Sequence, residues 1–175
     1  MNYGEIKWNS VENGTGTRVS IFVSGCRNHC PGCFNEPTWD FSYGKEFGLE
    51  VQDSVIEHCK EPFIHGISIL GGEPLEPENQ KPILTFLQAF TSACPDKTVW
   101  LYTGFTWEEL KSPECRARTE WLPSLLSYVD VMVDGRFIQA QRDITLRFRG
   151  SRNQRIIDVQ KTILSPTREV VLWKE

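Results

Sequence analysis

The residues best suited to chemistry are three thiols within eight positions, Cys26-Arg27-Asn28-His29-Cys30-Pro31-Gly32-Cys33. Spacings of three and two intervening residues fold into a tight loop rather than a strand. Three thiolates brought to one point can hold zinc with a fourth ligand. They can also hold three irons of a 4Fe-4S cluster, whose fourth iron then lacks a protein ligand. A structural zinc site needs that fourth position closed, and the sequence has no second Cys-x-x-Cys pair, so His29, His58 or Cys59 would have to serve. A cluster with an open iron can chelate a small molecule and pass it an electron, which is a catalytic arrangement. Cys59, Cys94 and Cys115 follow no repeated spacing and read as ordinary reduced cysteines.

A second constellation is Gly71-Gly72-Glu73-Pro74. Two residues without Cβ let the backbone approach a ligand closely, and a carboxylate there can accept a charge-assisted hydrogen bond from an ammonium. Elsewhere such a glycine pair is usually just a turn.

These loops need strands to carry them. Val19–Val23 is short, β-branched and aromatic, follows the turn Asn13-Gly14-Thr15-Gly16 and runs straight into the cysteines. Helical spacing of Val51, Val55, Ile56 and Cys59 is followed by the apolar run Gly66–Leu70, which ends at Gly71. The alternation repeats. A helix over Pro82–Ala93 precedes a strand over Thr98–Tyr102, and a helical segment near Trp121–Leu126 precedes a strand over Val129–Val133. Such alternation predicts an α/β fold of βαβ units on a parallel sheet, with the site at the carboxyl ends of the strands. Four or five units are too few for a closed barrel, which leaves an open partial barrel or a short doubly wound sheet. No linker or repeat divides the 175 residues, so one domain is expected.

Composition narrows the function. With 39% hydrophobic and 24% charged residues the chain has a globular makeup, and no run reaches the length of a membrane span or an export signal. A soluble, cytoplasmic protein is the expectation. A formal net charge of −4 argues against general binding to nucleic acid or to anionic lipid. The exception is the window Arg136–Arg155, where six arginines face one acid, Asp143. Both a solvated face and a docking or anion-binding surface remain open there.

The Cys-x3-Cys-x2-Cys spacing after an early strand, with Gly71-Gly72-Glu73 one βα unit later, resembles the radical S-adenosylmethionine enzymes. Their flanking segments single out the glycyl-radical enzyme activases. Asn13-Gly14-Thr15-Gly16-Thr17-Arg18 is similar to the Gly-Pro-Gly-x-Arg segment of that group, with Thr15 where proline is usual. Phe34-Asn35-Glu36-Pro37-Thr38-Trp39 is similar to its aromatic-Asn-x-x-Thr-Trp segment. The short chain, Leu101–Phe105, Val129–Gly135 and Arg149–Arg155 most resemble the branch that serves the anaerobic ribonucleoside-triphosphate reductase. An activase of another glycyl-radical enzyme, such as pyruvate formate-lyase, is the nearest alternative; a zinc-stabilised binding module is the alternative from a different class.

The resemblance covers residues 1–159 and leaves 160–175 as a C-terminal extension, with Val170–Trp173 a candidate extra strand. It implies an open partial barrel of the radical S-adenosylmethionine type. It also implies a 4Fe-4S cluster on Cys26, Cys30 and Cys33, with S-adenosylmethionine chelated to the open iron. One electron then releases a 5′-deoxyadenosyl radical, which takes hydrogen from a glycine of the reductase's large subunit. An electron donor such as flavodoxin is implied as well. Cofactor contacts are expected from Gly71, Gly72 and Glu73 at the methionine end, from Gly32 and Asn35, and from Thr103 and Asp134 at strand ends. The family often has an aromatic before the third cysteine; Gly32 stands there, so the adenine contact falls to Phe34. A capping or turn role for Thr103 and Asp134 remains equally open. His29 reads as polar loop filler, and Trp39 as a candidate to pack over the cluster.

Overall fold

The structure is a computed structural model that describes residues 1–167 and 169–174. It is an α/β fold with a mixed seven-stranded sheet. In chain order the elements are β1 (Asn2–Ser10), β2 (Thr17–Val23), β3 (Lys45–Glu46), α1 (Leu49–Cys59), β4 (Ile64–Gly71), α2 (Pro77–Ala93) and β5 (Thr98–Tyr102). They continue with α3 (Trp107–Lys111), α4 (Leu122–Leu126), β6 (Val131–Asp134), β7 (Arg155–Asp158) and α5 (Val159–Leu164). Short 3-10 turns lie at Glu36–Trp39 and Gln139–Gln141.

The sheet order is β3-β1-β2-β4-β5-β6-β7. The central strands β2, β4, β5 and β6 are parallel and follow chain order, so each crossover steps the same way. Right-handed crossovers that all step one way leave their helices on one face. That face carries Val19, Ile21, Ile67, Ile69, Val99, Leu101 and Met132, packed against Val55, Ile83, Phe86, Leu87, Phe90 and Leu125 of the helices.

The expectation of a wholly parallel sheet is corrected at both edges. β1 pairs antiparallel with β2, and β7 pairs antiparallel with β6. Half-exposed β1 shows no continuous apolar run, and β7 is only four residues long, so neither announces itself. Burial on both faces also proves unequal. The opposite face is partly polar, with Arg18, Ser20 and Ser68 buried beside a smaller cluster of Trp100, Val131 and Val133. Arg18 donates to Ser68 Oγ and to the main-chain oxygens of Thr15, Ile67 and Thr98, which ties the entry ends of the parallel strands together.

α2 starts five residues ahead of the expected Pro82, which sits inside it. Buried amides anchor the opening turn: Asn79 donates to the Ser24 and Glu73 carbonyls, and Gln80 to those of Leu75 and Ala117. Tertiary bonds outweigh the proline penalty. Val170–Trp173 forms an isolated bridge to β7 through Leu172 rather than a strand. Arg168 and Glu175 of the expected extension lie outside the described residues. Among the described residues no helix is long and apolar enough to cross a membrane.

Candidate functional site

Every parallel strand ends in a loop at the same edge of the sheet. β2 leads to the cysteines, β4 to Gly71–Glu73, β5 to Thr103-Gly104 and β6 to Gly135. These loops wall a cavity of about 510 Å³, within the usual span of small-molecule sites. Cys26, Cys30, Cys33, Phe34, Asn35, Gly71, Gly72, Glu73 and Thr103 all line it.

Backbone contacts join the cysteine loop to its neighbours. Gly25 N–H donates to the Thr38 carbonyl and Glu73 N–H to the Gly25 carbonyl. A Cβ on Gly72 would lie 2.7 Å from the Gly25 oxygen and 2.9 Å from that of Thr38. A Cβ on Gly71, at φ +107°, would lie 2.7 Å from the Phe22 backbone. The glycine pair therefore serves close strand packing as well as the cavity wall.

The three thiols are reduced. Cys26 is buried, which pushes its thiol up to about 11 against the backbone N–H groups of Asn28 and His29; burial also raises Cys30. Asn35 N–H donates to Cys33 Sγ at 3.4 Å. Among the described residues no three His, Cys, Asp or Glu side chains stand gathered for a metal ion.

The other features of the cavity fit a cluster and a second ligand. Trp39 Nε1, the Tyr102 hydroxyl and Arg149 Nε belong to residues lining this cavity, and all three atoms are buried without a hydrogen-bond partner. Among the described residues no fourth thiol and no imidazole lines the cavity, and its two carboxylates are engaged, Glu12 by Lys7 and Glu73 by four hydrogen-bond donors. His29 stacks on Trp39 with ring centroids 4.5 Å apart, His58 bonds to Asn9 at 3.1 Å, and Cys59 lies fully buried in the helical core. A soft donor set one ligand short suits iron–sulfur better than structural zinc.

Glu73 ties the loops of the cavity together. It is 1% exposed, and its carboxylate accepts four bonds. Leu75 N–H (2.9 Å) and the Thr103 hydroxyl (2.8 Å) bond to Oε1, while Gly104 N–H (2.7 Å) and Asn28 Nδ2 (3.0 Å) bond to Oε2. Burial pushes its carboxyl up to about 7, with the donors pulling the other way.

Thr103 lines the cavity through this bond; Asp134 does not line it. The Asp134 carboxylate is buried and accepts Trp107 N–H and two bonds from Arg155. Gly32 sits outside the lining in a positive-φ turn, where a Cβ would strike the Gln139 amide. Phe34 is exposed at the mouth, beside Phe137 and under the Arg142 guanidinium.

Sequence reasoning missed the ionic net behind the cysteine loop. Fully buried Glu76 binds both Arg27 and Arg116, and Arg116 also donates to Asn28 Oδ1 at 2.6 Å. No spacing rule links residues so far apart in the chain. The arginine-rich window is partly spent internally, through Arg136 with Glu109, Arg152 with Asp143 and Arg155 with Glu108 and Asp134.

Three cysteines lining one cavity at the carboxyl edge of an α/β sheet are the soft donors that an iron–sulfur protein needs. In agreement, a family described as a 4Fe-4S single cluster domain matches residues 12–157. Proteins named anaerobic ribonucleoside-triphosphate reductase-activating protein match over 156 residues, 88% of this chain and 96% of each relative. They are 42% identical to it in Vibrio cholerae, 40% in Haemophilus influenzae and 37% in Escherichia coli. The chain belongs to this family of radical S-adenosylmethionine activases.

Proposed function

We propose that this chain activates an anaerobic ribonucleoside-triphosphate reductase by installing a radical on a glycine of its large subunit. The observation that carries the reading is the shared cavity of Cys26, Cys30, Cys33 and Gly71–Glu73, with no fourth thiol and no imidazole among the described residues of its wall. The names of the relatives support the partner.

In this reading Cys26, Cys30 and Cys33 would hold a 4Fe-4S cluster, with S-adenosylmethionine bound beside it in the same cavity. Cluster and cofactor, when bound, supply one-electron cleavage of the sulfonium carbon–sulfur bond and hence a carbon radical able to take hydrogen from a glycine Cα. The protein orients and shields. Gly71, Gly72 and Glu73 shape the methionine end, Phe34 and Asn35 flank the adenine end, and Thr103 fixes Glu73. Gly32 and Asp134 contribute from outside the lining, by turning the cysteine loop and by fixing the segment after β6. Leu70, Tyr102, Phe137, Leu146 and Phe148 keep the wall apolar, which limits water near a reactive radical.

The sequential parallel order, with helices on one face, supports a single open partial barrel whose inner face is the Trp100 side. A reducing cytoplasm with a donor such as flavodoxin suits the chemistry, and neither nucleic acid nor membrane is a partner in it. The test is anaerobic incubation of reduced protein, S-adenosylmethionine and the reductase large subunit, followed by electron paramagnetic resonance. A glycyl radical in the reductase is expected. A radical only in pyruvate formate-lyase would reassign the partner.

A further inference from the structure

We propose that Asn28 is a positioning residue that couples the cysteine loop to the cofactor-binding loops, with Glu73 as the anchor of that coupling rather than a free acceptor for the cofactor. The inference rests on the function proposed above and concerns how the two halves of its site are held in register.

Asn28 lies between Cys26 and Cys30, and its backbone N–H faces the Cys26 sulfur. Its carboxamide works at both ends: Nδ2 donates to Glu73 Oε2 at 3.0 Å, and Oδ1 accepts from Arg116 Nη2 at 2.6 Å. One residue thus reaches a thiol through its backbone, the loop after β4 through its side chain and, through Glu73, the loop after β5. Space for it is reserved, since a Cβ on Gly104 would stand 2.3 Å from Asn28 Nδ2.

A carboxylate offers about four lone-pair positions, and Glu73 has four donors. Its charge still favours a nearby ammonium, but no acceptor position is left for a direct bond. The role that remains is to hold Leu75, Thr103, Gly104 and Asn28 in place. Asn28 is the only one of these donors on the cysteine loop, so its amide is the side-chain link that adds to the Glu73–Gly25 backbone bond in setting the register of thiols against cofactor.

The substitution Asn28→Asp separates coupling from shape. It keeps the size and the acceptor for Arg116, yet it replaces a donor to Glu73 with a second carboxylate. Wild type, Asn28→Asp and Asn28→Ala are reconstituted anaerobically, and iron and sulfide content is measured. Binding of S-adenosylmethionine and of its analogue lacking the amino group is then titrated calorimetrically. Expected are wild-type cluster content and binding weakened about tenfold or more in Asn28→Asp, with a smaller loss in Asn28→Ala; the losses are the same for both ligands. Wild-type affinity in Asn28→Asp overturns the coupling and leaves the proposed function standing. Losses confined to the ligand with the amino group overturn it too, because Glu73 would then meet the ammonium directly. A loaded wild-type protein that binds neither ligand overturns the proposed function and the coupling with it. If Asn28→Asp does not fold, Asn28→Ala decides: a loss shared by both ligands upholds the coupling, and wild-type affinity overturns it.

Discussion

Glu76→Gln probes the ionic net that braces the cysteine loop. Glu76 is fully buried; its Oε1 accepts Arg27 N–H at 2.9 Å and Arg116 Nη2 at 3.0 Å, and its Oε2 accepts Arg27 Nη1 at 2.8 Å. Glutamine keeps the shape, removes the charge and turns an NH2 toward one guanidinium. Breaking a fully buried pair costs about 3–5 kcal/mol. Here the arginine side chains are 47% and 35% exposed, Arg27 keeps Glu78 and Arg116 keeps Asn28. Solvent and these second partners reduce the figure to about 2 kcal/mol. At this chain length that corresponds to a melting temperature lower by about 4–8 °C. Urea unfolding of the cluster-free chain, kept reduced and oxygen-free, is the assay. The control Glu78→Gln, at the exposed end of the net, should cost less than about 0.5 kcal/mol. A Glu76→Gln variant within about 0.5 kcal/mol of wild type, or a Glu78→Gln variant equally costly, refutes the reasoning.

Three further predictions concern the cavity wall. Gly72→Ala should destabilise the chain by about 1–3 kcal/mol, because its Cβ meets two main-chain oxygens that cannot rotate away; wild-type stability on urea unfolding would contradict this. Glu73 is raised to about 7 by burial, so the folded chain holds a proton that the unfolded chain releases near its ordinary value of 4.5. Its contribution is present below about pH 4.5 and is lost as pH rises through 7, a fall of about 3 kcal/mol. The stability of wild type relative to Glu73→Gln should fall accordingly between pH 4.5 and 8, and a constant difference would show that burial does not set this carboxyl. Cys30→Ala should lose the iron yet keep the far-ultraviolet circular dichroism of wild type, because Cys30 stands outside the helical core; global unfolding would point to a structural metal.

The chemistry was readable in the sequence where it depends on residue type at short spacing. The three thiols, the glycine pair and the strands leading to them needed only local pattern; the strand Thr98–Tyr102 matches in full, and the helical spacing of Val51, Val55, Ile56 and Cys59 falls within α1. What escaped depends on residues far apart in the chain. Half-exposed β1 draws its place from pairing with β2. The opening turn of α2 depends on amides bonded to Ser24 and Ala117. Asp134 looks like a site residue from its strand end, but Arg155, twenty-one positions away, claims it. Asn28 gave no signal, since an asparagine in a loop normally means only a turn.

The most direct test of the central claim is electron paramagnetic resonance of the reduced, anaerobically prepared protein before and after S-adenosylmethionine is added. An open iron predicts a reduced 4Fe-4S signal that changes shape when the cofactor is added. A colourless zinc protein, or a cluster signal indifferent to the cofactor, would contradict it.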